Sequence, residues 1–179
     1  LQSVMPKQQD MILVEAGGDI SEITIIRDHV IQHVVSIPYG SNHALRELSL
    51  NLEISYAHAR SLILSSHQGL FKKFLSHSIE KTLARSRERW SHFIMVALTL
   101  SRSVDHMPDF ILVTGEAWQA HACADSINDS EHIREFLGRQ KTKAIILDYP
   151  LLGGLVGYRS SAIRDPLITL EAYMAQTLL

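Results

Sequence analysis

The sequence predicts a mixed α/β fold, and three observations indicate it. Between Met11 and Ile37, β-branched apolar runs are separated by short turns, a pattern typical of adjacent strands. A long segment of helical period follows, and beyond Pro108 short apolar runs alternate with further helical segments. This order of strands and helices favours an α/β domain. With 179 residues, 46% of them hydrophobic, the chain can bury one sizeable core.

Three antiparallel strands are expected at the beginning of the chain, joined by two tight turns. The first turn contains Gly17 and Gly18 and follows the acidic residue Glu15, and the second lies around Asp28. Pro38 ends this part of the sheet because it lacks a backbone donor. The predicted strands are Met11–Glu15, Ser21–Arg27 and Val30–Ile37.

The glycine turn has two interpretations on its residues alone. Glycine permits backbone conformations closed to other residues and lets a ligand approach the chain closely. A turn of this kind can direct backbone N–H groups at a phosphate. An ordinary hairpin turn is the more common use of such a pair, and the residues alone favour it.

Helical period, caps and breakers place the remaining elements. Asn42 and Ser55 are candidate N-caps of two helices, while Pro108 and Gly138 end helical segments. A connecting loop is expected at Pro150–Gly157, which carries three glycines. The predicted helices run from Asn42 to about Leu52, from Ser55 to about Ser66, from Leu70 to near Ser103, and over Ala117–Ile127, Ser130–Leu137 and Leu167–Leu178; the further strands are Phe110–Thr114 and Lys143–Leu147.

Composition excludes several classes of protein. The net charge of -2 provides no basic footprint for nucleic acid. The single cysteine, Cys123, excludes an internal disulfide, fits a reducing compartment and is interpreted as a small buried residue. No apolar run approaches the ~20 residues of a membrane span, and the first residues lack a signal-peptide pattern. We expect a cytoplasmic protein without membrane insertion, with 1–10 as a linker-like lead-in and the chain as part of a longer protein.

Several stretches follow one another in the order of a known family. Glu15–Ile23, EAGGDISEI, resembles the second phosphate loop of actin-like ATPases, in which two acids flank a run of glycines and hydroxyl residues. That family includes actin, Hsp70 and sugar kinases, and the order and spacing here most resemble its FtsA/PilM branch of cell-division and type IV pilus proteins. The other matching stretches are Arg27–Gly40 (the hairpin after the loop), Ser41–Ile63 (a helix pair), Pro108–Ala120 (the adenosine loop) and Asp165–Ala175 (the closing helix).

The resemblance implies both an architecture and a site. Residues 1–179 would form one ribonuclease-H-like lobe with a helical insertion over 41–103. ATP and Mg²⁺ would be the cofactors, with the loops Gly17–Ser21 and Gly115–Trp118 flanking one cleft. Glu15 and Glu22 stand at the acidic positions that hold Mg²⁺ or its waters in the family. The nucleotide-binding positions implied in this way are Glu15, Gly17, Gly18, Ser21, Glu22, Gly115 and Glu116.

Four positions depart from the family pattern, and all lie at the implied site. Asp19 stands where the family has its third glycine, so an anion would face the phosphates. Glu116 replaces the second glycine of the adenosine loop, and Arg60 and Ile63 stand where an acidic and a basic residue usually face the nucleotide. We therefore expect ATP and Mg²⁺ binding to be weak or lost, and the isolated chain to lack measurable ATP turnover. Trp118 could stack on a base, but a place in the core is the more common role of such a residue.

The function implied by the resemblance is that of a cytoplasmic assembly scaffold, located at the inner face of the membrane through its partners. Those partners would be proteins, either copies of itself or division or pilus components, and not nucleic acid. Two alternatives stay open: an active ATP-binding polymerising ATPase, and a lobe of the sugar or acetate kinase type. If the protein is an enzyme at all, it is an ATPase of this superfamily.

Other chemistries have little support in the sequence. The ten histidines show no metal-ligand spacing, and His29 and His33 flank a predicted hairpin. No G-x-S-x-G turn for nucleophilic catalysis occurs. A basic stretch on the long helix is interpreted as a solvated face, with a partner surface as the less common alternative. It comprises Lys81, Arg85, Arg87 and Arg89.

Overall fold

The structure, a computed structural model, describes residues 10–28, 30–67, 77–101, 107–108, 110–138 and 143–147. These residues form five strands and five helices, in the order three strands, three helices, one strand, two helices and one strand. The strands are β1 (Met11–Ala16), β2 (Ser21–Arg27), β3 (Val30–Ile37), β4 (Phe110–Gly115) and β5 (Lys143–Ile146). The helices are α1 (Ser41–Leu52), α2 (Tyr56–His67), α3 (His77–Leu100), α4 (Ala117–Asp129) and α5 (Glu131–Phe136).

The five strands form one mixed sheet in the order β3-β2-β1-β4-β5. β1, β2 and β3 are antiparallel neighbours, as predicted, while β4 pairs with β1 and β5 with β4 in parallel. Helices α1 to α3 lie between β3 and β4 in the chain, within the range 41–103 for which a helical insertion is predicted. Because β1 and β4 are neighbouring parallel strands, the turn after β1 and the loop after β4 both lie at the carboxyl ends of these strands, on the same side of the sheet.

The main core lies between one face of the sheet and helices α3 and α4. Alternate residues of β1 point to this face, as the period of two in a strand requires. Ile12, Val14 and Ala16 are buried there together with Trp90 and Ile94 of α3. A second cluster joins the insertion to α4 and comprises Leu45, Leu48, Ala59, Ile63, Ile79 and Trp118. On the opposite face of the sheet, a third cluster comprises Met11, Leu112 and Leu147.

The predicted cap of α1 is wrong. Gly40, not Asn42, is the N-cap, and the helix begins at Ser41. The carbonyls of Gly17 and Gly18 accept the first backbone N–H groups of α1, so no side-chain cap is needed. The cap predicted for α2 is confirmed, because the hydroxyl of Ser55 accepts from the N–H of His58 at 3.3 Å.

Other predicted boundaries agree within a few residues. α3 ends at Leu100 and α4 continues to Asp129. α5 is capped by Ser130, whose hydroxyl accepts from the N–H of Ile133 at 3.3 Å. Among the described residues, no helix is long and apolar enough to span a bilayer. The predictions for the lead-in, the first turns of the long helix, the loop after Pro150 and the closing helix lie outside the described residues.

Candidate functional site

The turn after β1 and the loop after β4 lie side by side, which confirms the predicted proximity of Gly17–Ser21 and Gly115–Trp118. Ala16 and Gly115 are direct register partners at the ends of their parallel strands. Gly115 has a φ of +145°, and a Cβ atom there would lie 2.5 Å from the carbonyl oxygen of Ala16. Only glycine adopts this φ readily and has no Cβ atom to clash with Ala16, so Gly115 lets the two loops approach each other closely.

The glycines of the first turn are required by close contacts within the chain. Neither Gly17 nor Gly18 has a positive φ, so the turn uses no left-handed glycine. A Cβ atom on Gly17 would lie 2.2 Å from the carbonyl oxygen of Ile20, inside the turn itself. A Cβ atom on Gly40 would lie 2.4 Å from the carbonyl oxygen of Gly18. The sequence signal for a ligand-facing turn therefore has a structural cause here: the turn packs against the start of α1.

Hydrogen bonds connect this turn to the first residues of α1. The N–H of Ser41 donates to the carbonyl of Gly17 at 3.1 Å, and that of Asn42 to the carbonyl of Gly18 at 2.8 Å. The side chain of Gln119, in the first turn of α4, donates to the hydroxyl of Ser41 at 2.7 Å. The two loops and the insertion are thus joined at one point, and the first amide groups of α1 already have acceptors.

Asp19, the first departure from the family pattern, is paired with side chains of α1. Its carboxylate accepts from the guanidinium of Arg46 at 2.6 Å and from the side-chain amide of Asn42 at 3.1 Å. The hydroxyl of Tyr56 in turn donates to the Asn42 side chain. The hydrogen bond from Arg46, followed by that from Asn42, holds the pKa of Asp19 below its usual value. Asp19 is therefore an anion at neutral pH, with its own cation beside it.

Glu116, the second departure, makes an equivalent contact with α2. Its carboxylate accepts from the guanidinium of Arg60 at 2.6 Å, over 56 positions of sequence. Its backbone carbonyl accepts from Gln119 and Ala120, so Glu116 also forms the N-cap of α4. The resemblance predicts a nucleotide-facing residue at the position of Arg60, and in the structure the partner of Arg60 is the side chain of Glu116.

The two acids proposed for Mg²⁺ lie beside each other on the sheet. Glu15 of β1 and Glu22 of β2 are direct cross-strand partners, and Thr114 of β4 lies on the other side of Glu15. The hydroxyl of Ser36 donates to Glu22 at 3.0 Å. The hydroxyl of Thr114 is buried and has no hydrogen-bond partner in the part of the chain that is described. This row provides oxygen atoms of the kind that Mg²⁺ prefers, although the described residues contain no group of three or more His, Cys, Asp or Glu side chains suited to a metal.

Other candidate residues serve the fold. Ser21 is buried, and its hydroxyl donates to the carbonyl of Tyr39 at 2.8 Å. Trp118 is buried in the second core cluster, in agreement with the core interpretation. Cys123 is fully buried, and burial raises the pKa of its thiol far above the usual range. Within the basic stretch, Arg85 and Arg89 both reach Glu47 of α1, at 3.7 and 3.1 Å.

Sequence reasoning missed the partners of the two departing acids. Arg46 and Asn42 are four residues apart on α1, a spacing that places both side chains on one helix face toward Asp19. That spacing is the signal that could have indicated a shared partner. Gln119 and Tyr39 gave no comparable signal, because their contacts depend on how the loops and helices pack.

Comparisons with known proteins identify the fold. No family model and no curated protein matches the sequence. Among solved structures, a chain of the PilM–PilN type IV pilus biogenesis complex aligns with 98% of this chain at a TM-score of 0.66 and 9% identity. ParM with ATP from Bacillus thuringiensis aligns with 97% at a TM-score of 0.51 and 10% identity. EutJ, an ethanolamine utilization protein from Carboxydothermus hydrogenoformans, aligns with 82% at a TM-score of 0.51 and 20% identity.

The chain has the fold of an actin-like ATPase lobe. It spans 47 to 48% of each of these proteins, so it corresponds to about half of their length. The predicted α/β class with a ribonuclease-H-like sheet is confirmed. In this actin-like lobe, the phosphate-loop and adenosine-loop candidates occupy adjacent strand ends of one sheet, with the helical insertion beside them.

Proposed function

We propose that this chain is one lobe of an FtsA/PilM-like actin homologue that serves as a cytoplasmic assembly scaffold and has a degenerate ATP site. The structural likeness to a chain of the PilM–PilN complex supports the FtsA/PilM branch, since that alignment extends over nearly all of the present sequence. The partners would be proteins of a division or pilus assembly, or further copies of the same protein. Its place at the inner face of the membrane would then depend on those partners.

The observation that carries the proposal is the pair of ion pairs at the two loops. Asp19 and Glu116 place carboxylates where the family has glycines, and each pairs at 2.6 Å with an arginine from the insertion. A nucleotide would have to bring its phosphates to carboxylates that already hold the nearby cations, and like charges at close range repel. Phosphoryl transfer depends on donors that stabilise charge on the phosphates, and here acids stand in their place.

The test measures ATP turnover and ATP binding on the 179-residue chain. With Mg²⁺ and ATP, we expect no phosphate release above background, and only weak binding of labelled ATP. Turnover that Glu22→Ala abolishes would instead indicate a complete site and contradict the proposal.

A variant without the two carboxylates tests whether their negative charge is what weakens ATP binding. Asp19→Asn combined with Glu116→Gln removes both carboxylates and frees both arginines, so ATP affinity should rise by about tenfold or more. The matched control is Glu131→Gln combined with Glu135→Gln on α5, which changes the net charge equally at exposed positions outside the loops. Equal affinities of the two double variants would show that the acids are not what weakens binding.

One observation favours the alternative of an active, polymerising ATPase. Glu15 and Glu22 are still adjacent cross-strand partners, so a carboxylate pair is available for Mg²⁺ beside the phosphates. If Mg²⁺–ATP binds, these residues would hold the ion, which would neutralise phosphate charge. Substitution of Glu15 or Glu22 by alanine should then weaken Mg²⁺-dependent binding of ATP and leave Mg²⁺-free binding unchanged.

A further inference from the structure

The outer edge of the sheet at β3 is open. β3 is the first strand in the order β3-β2-β1-β4-β5, and among the described strands it pairs only with β2. Alternate residues of an edge strand direct their backbone N–H and C=O groups away from the sheet, where another strand can bind them. With eight residues, from Val30 to Ile37, β3 is long enough to accept such a strand.

The sequence of β3 contains few of the features that protect an exposed sheet edge. Charged side chains, prolines and bulges commonly prevent an edge from pairing with another chain. Between Val30 and Ile37 there is no Asp, Glu, Lys, Arg or Pro. The strand does contain one bulge, because Gln32 has no partner on β2 although the residues on both sides of it do. Apart from this bulge, nothing within the strand opposes pairing along its edge.

Large apolar side chains are exposed along the same edge. Ile31 is 62% exposed and Val34 is 53% exposed. Their partners on β2 are Ile26 and Thr24, and Thr24 pairs in turn with Leu13 of β1. Ile26 and Leu13 pack against the third core cluster, and cross-strand partners share a face of the sheet. Ile31 and Val34 therefore lie together on the face opposite α3 and α4, where an added strand would cover both.

A second copy of β3 fits this edge in antiparallel orientation. A two-fold axis that places Ile31 beside Val34 of the second copy also places Val34 beside Ile31 of that copy, so both exposed side chains are covered in each chain. The bulge at Gln32 lies between these two positions in both copies, so the spacing of the two pairs is equal on the two strands. A foreign strand would have to reproduce this spacing, whereas a second copy has it by symmetry. Because the strand contains no Asp, Glu, Lys or Arg, no like charges of fixed sign face each other.

We propose that two copies of this chain associate through antiparallel pairing of their β3 edges, so that the two five-stranded sheets become one. The contact uses a strand edge and not the loops after β1 and β4, so it needs no nucleotide and does not depend on the proposed function. The pairing occupies the β3 edge of both copies, so the association through β3 ends at a dimer. A contact through one strand edge is smaller than the about 800 Å² per partner of a standard interface, so the dimer is a weak one.

The first test is sedimentation velocity of the 179-residue chain without nucleotide, over a range of protein concentrations up to the solubility limit. We expect a reversible monomer–dimer equilibrium. Val34→Lys places a charge on the edge and should weaken the dimer about tenfold or more. Its control is Leu50→Lys, which adds the same charge at a position of α1 that is 78% exposed, and which should leave the dimer unchanged. A chain that stays monomeric at every concentration, or equal dimerisation of the two variants, would overturn the proposal.

The second test is disulfide cross-linking, which reports the register. The only natural cysteine, Cys123, is buried, so added cysteines would be the accessible thiols. The double variant Ile31→Cys, Val34→Cys should form a covalent dimer on mild oxidation, because the two positions face each other across the two-fold axis. Within one chain they are three residues apart on a strand, about 10 Å, which is too far for a disulfide. The control is Leu50→Cys with Leu100→Cys, at exposed apolar positions of α1 and α3. Cross-linking of the β3 variant no faster than that of this control would refute the pairing, even if the chain dimerises by another surface.

Discussion

Replacement of Gly115 by alanine tests the close approach of the two loops. Gly115 has a φ of +145°, a region that residues with a side chain rarely adopt, and such a residue costs about 1 to 3 kcal/mol. The new Cβ atom would also lie 2.5 Å from the carbonyl oxygen of Ala16, which is part of the β1–β4 ladder. Because this neighbour is backbone, relief requires a shift of the strand, and overpacking of this kind costs about 1 to 3 kcal/mol.

The two contributions together predict that the free energy of unfolding falls by about 2 to 6 kcal/mol. In a chain of this length each kcal/mol lowers the melting temperature by roughly 2 to 4 °C, so a fall of about 4 to 24 °C is expected. Urea unfolding followed by far-UV circular dichroism gives the free energy, and a thermal scan gives the melting temperature.

The control is Gly138→Ala, which carries the backbone cost without the contact. Gly138 has a φ of +70°, and an added Cβ atom would meet nothing within 4 Å. Only the left-handed backbone opposes alanine there, at about 1 to 2 kcal/mol. If Gly115→Ala is no more destabilising than Gly138→Ala, the contact between the strand ends is not as described.

Three further predictions follow from burial and charge. Leu48→Ala should lower the free energy of unfolding by about 2 to 5 kcal/mol because Leu48 is fully buried, whereas Leu50→Ala, at a position 78% exposed, should change it by less than about 0.5 kcal/mol in the same urea experiment. Cys123 should react with a thiol reagent only as fast as the chain unfolds, since burial raises the pKa of its thiol; rapid modification under native conditions would contradict its placement. The pKa of Asp19 is lowered, so its pairing with Arg46 should persist at neutral pH and be lost only as the pH falls below 3.8; a carboxyl NMR titration should give a midpoint below that value, and Arg46→Gln should raise it.

Local sequence signals were sufficient for the elements of the sheet. The strand pattern has a period of two on a half-buried surface, and the turns are marked by Gly17 and Gly18 and by the residues around Asp28. Where a helix carries its own cap, as at Ser55 and Ser130, the sequence also predicts its beginning.

The start of α1 was different, because its acceptors come from a turn more than 20 positions earlier in the chain. The predicted cap, Asn42, instead donates to Asp19. Contacts between residues that are distant in the sequence also limit how much of the candidate site can be predicted. The sequence predicts which loops meet, through the order of the family-like stretches, but the pairing of Asp19 with Arg46 and of Glu116 with Arg60 depends on tertiary packing.

The energetics of those two ion pairs indicate what they do. The side chains of Asp19 and Arg46 are 60% and 53% exposed, and those of Glu116 and Arg60 are 44% and 47% exposed. Exposed pairs of this kind contribute little to stability, and salt screens them. Packing therefore holds helices α1 to α3 in place, through α3 in the main core and through the contacts with Trp118 in the second core cluster.

Removal of either pair should accordingly leave the fold intact while it changes the charge presented to a ligand. Asp19→Asn with Glu116→Gln should unfold at nearly the same urea concentration as the unsubstituted chain, even as its affinity for ATP rises. A large loss of stability in that variant would mean that the pairs support the fold, and a change in its ATP binding could then not be assigned to charge.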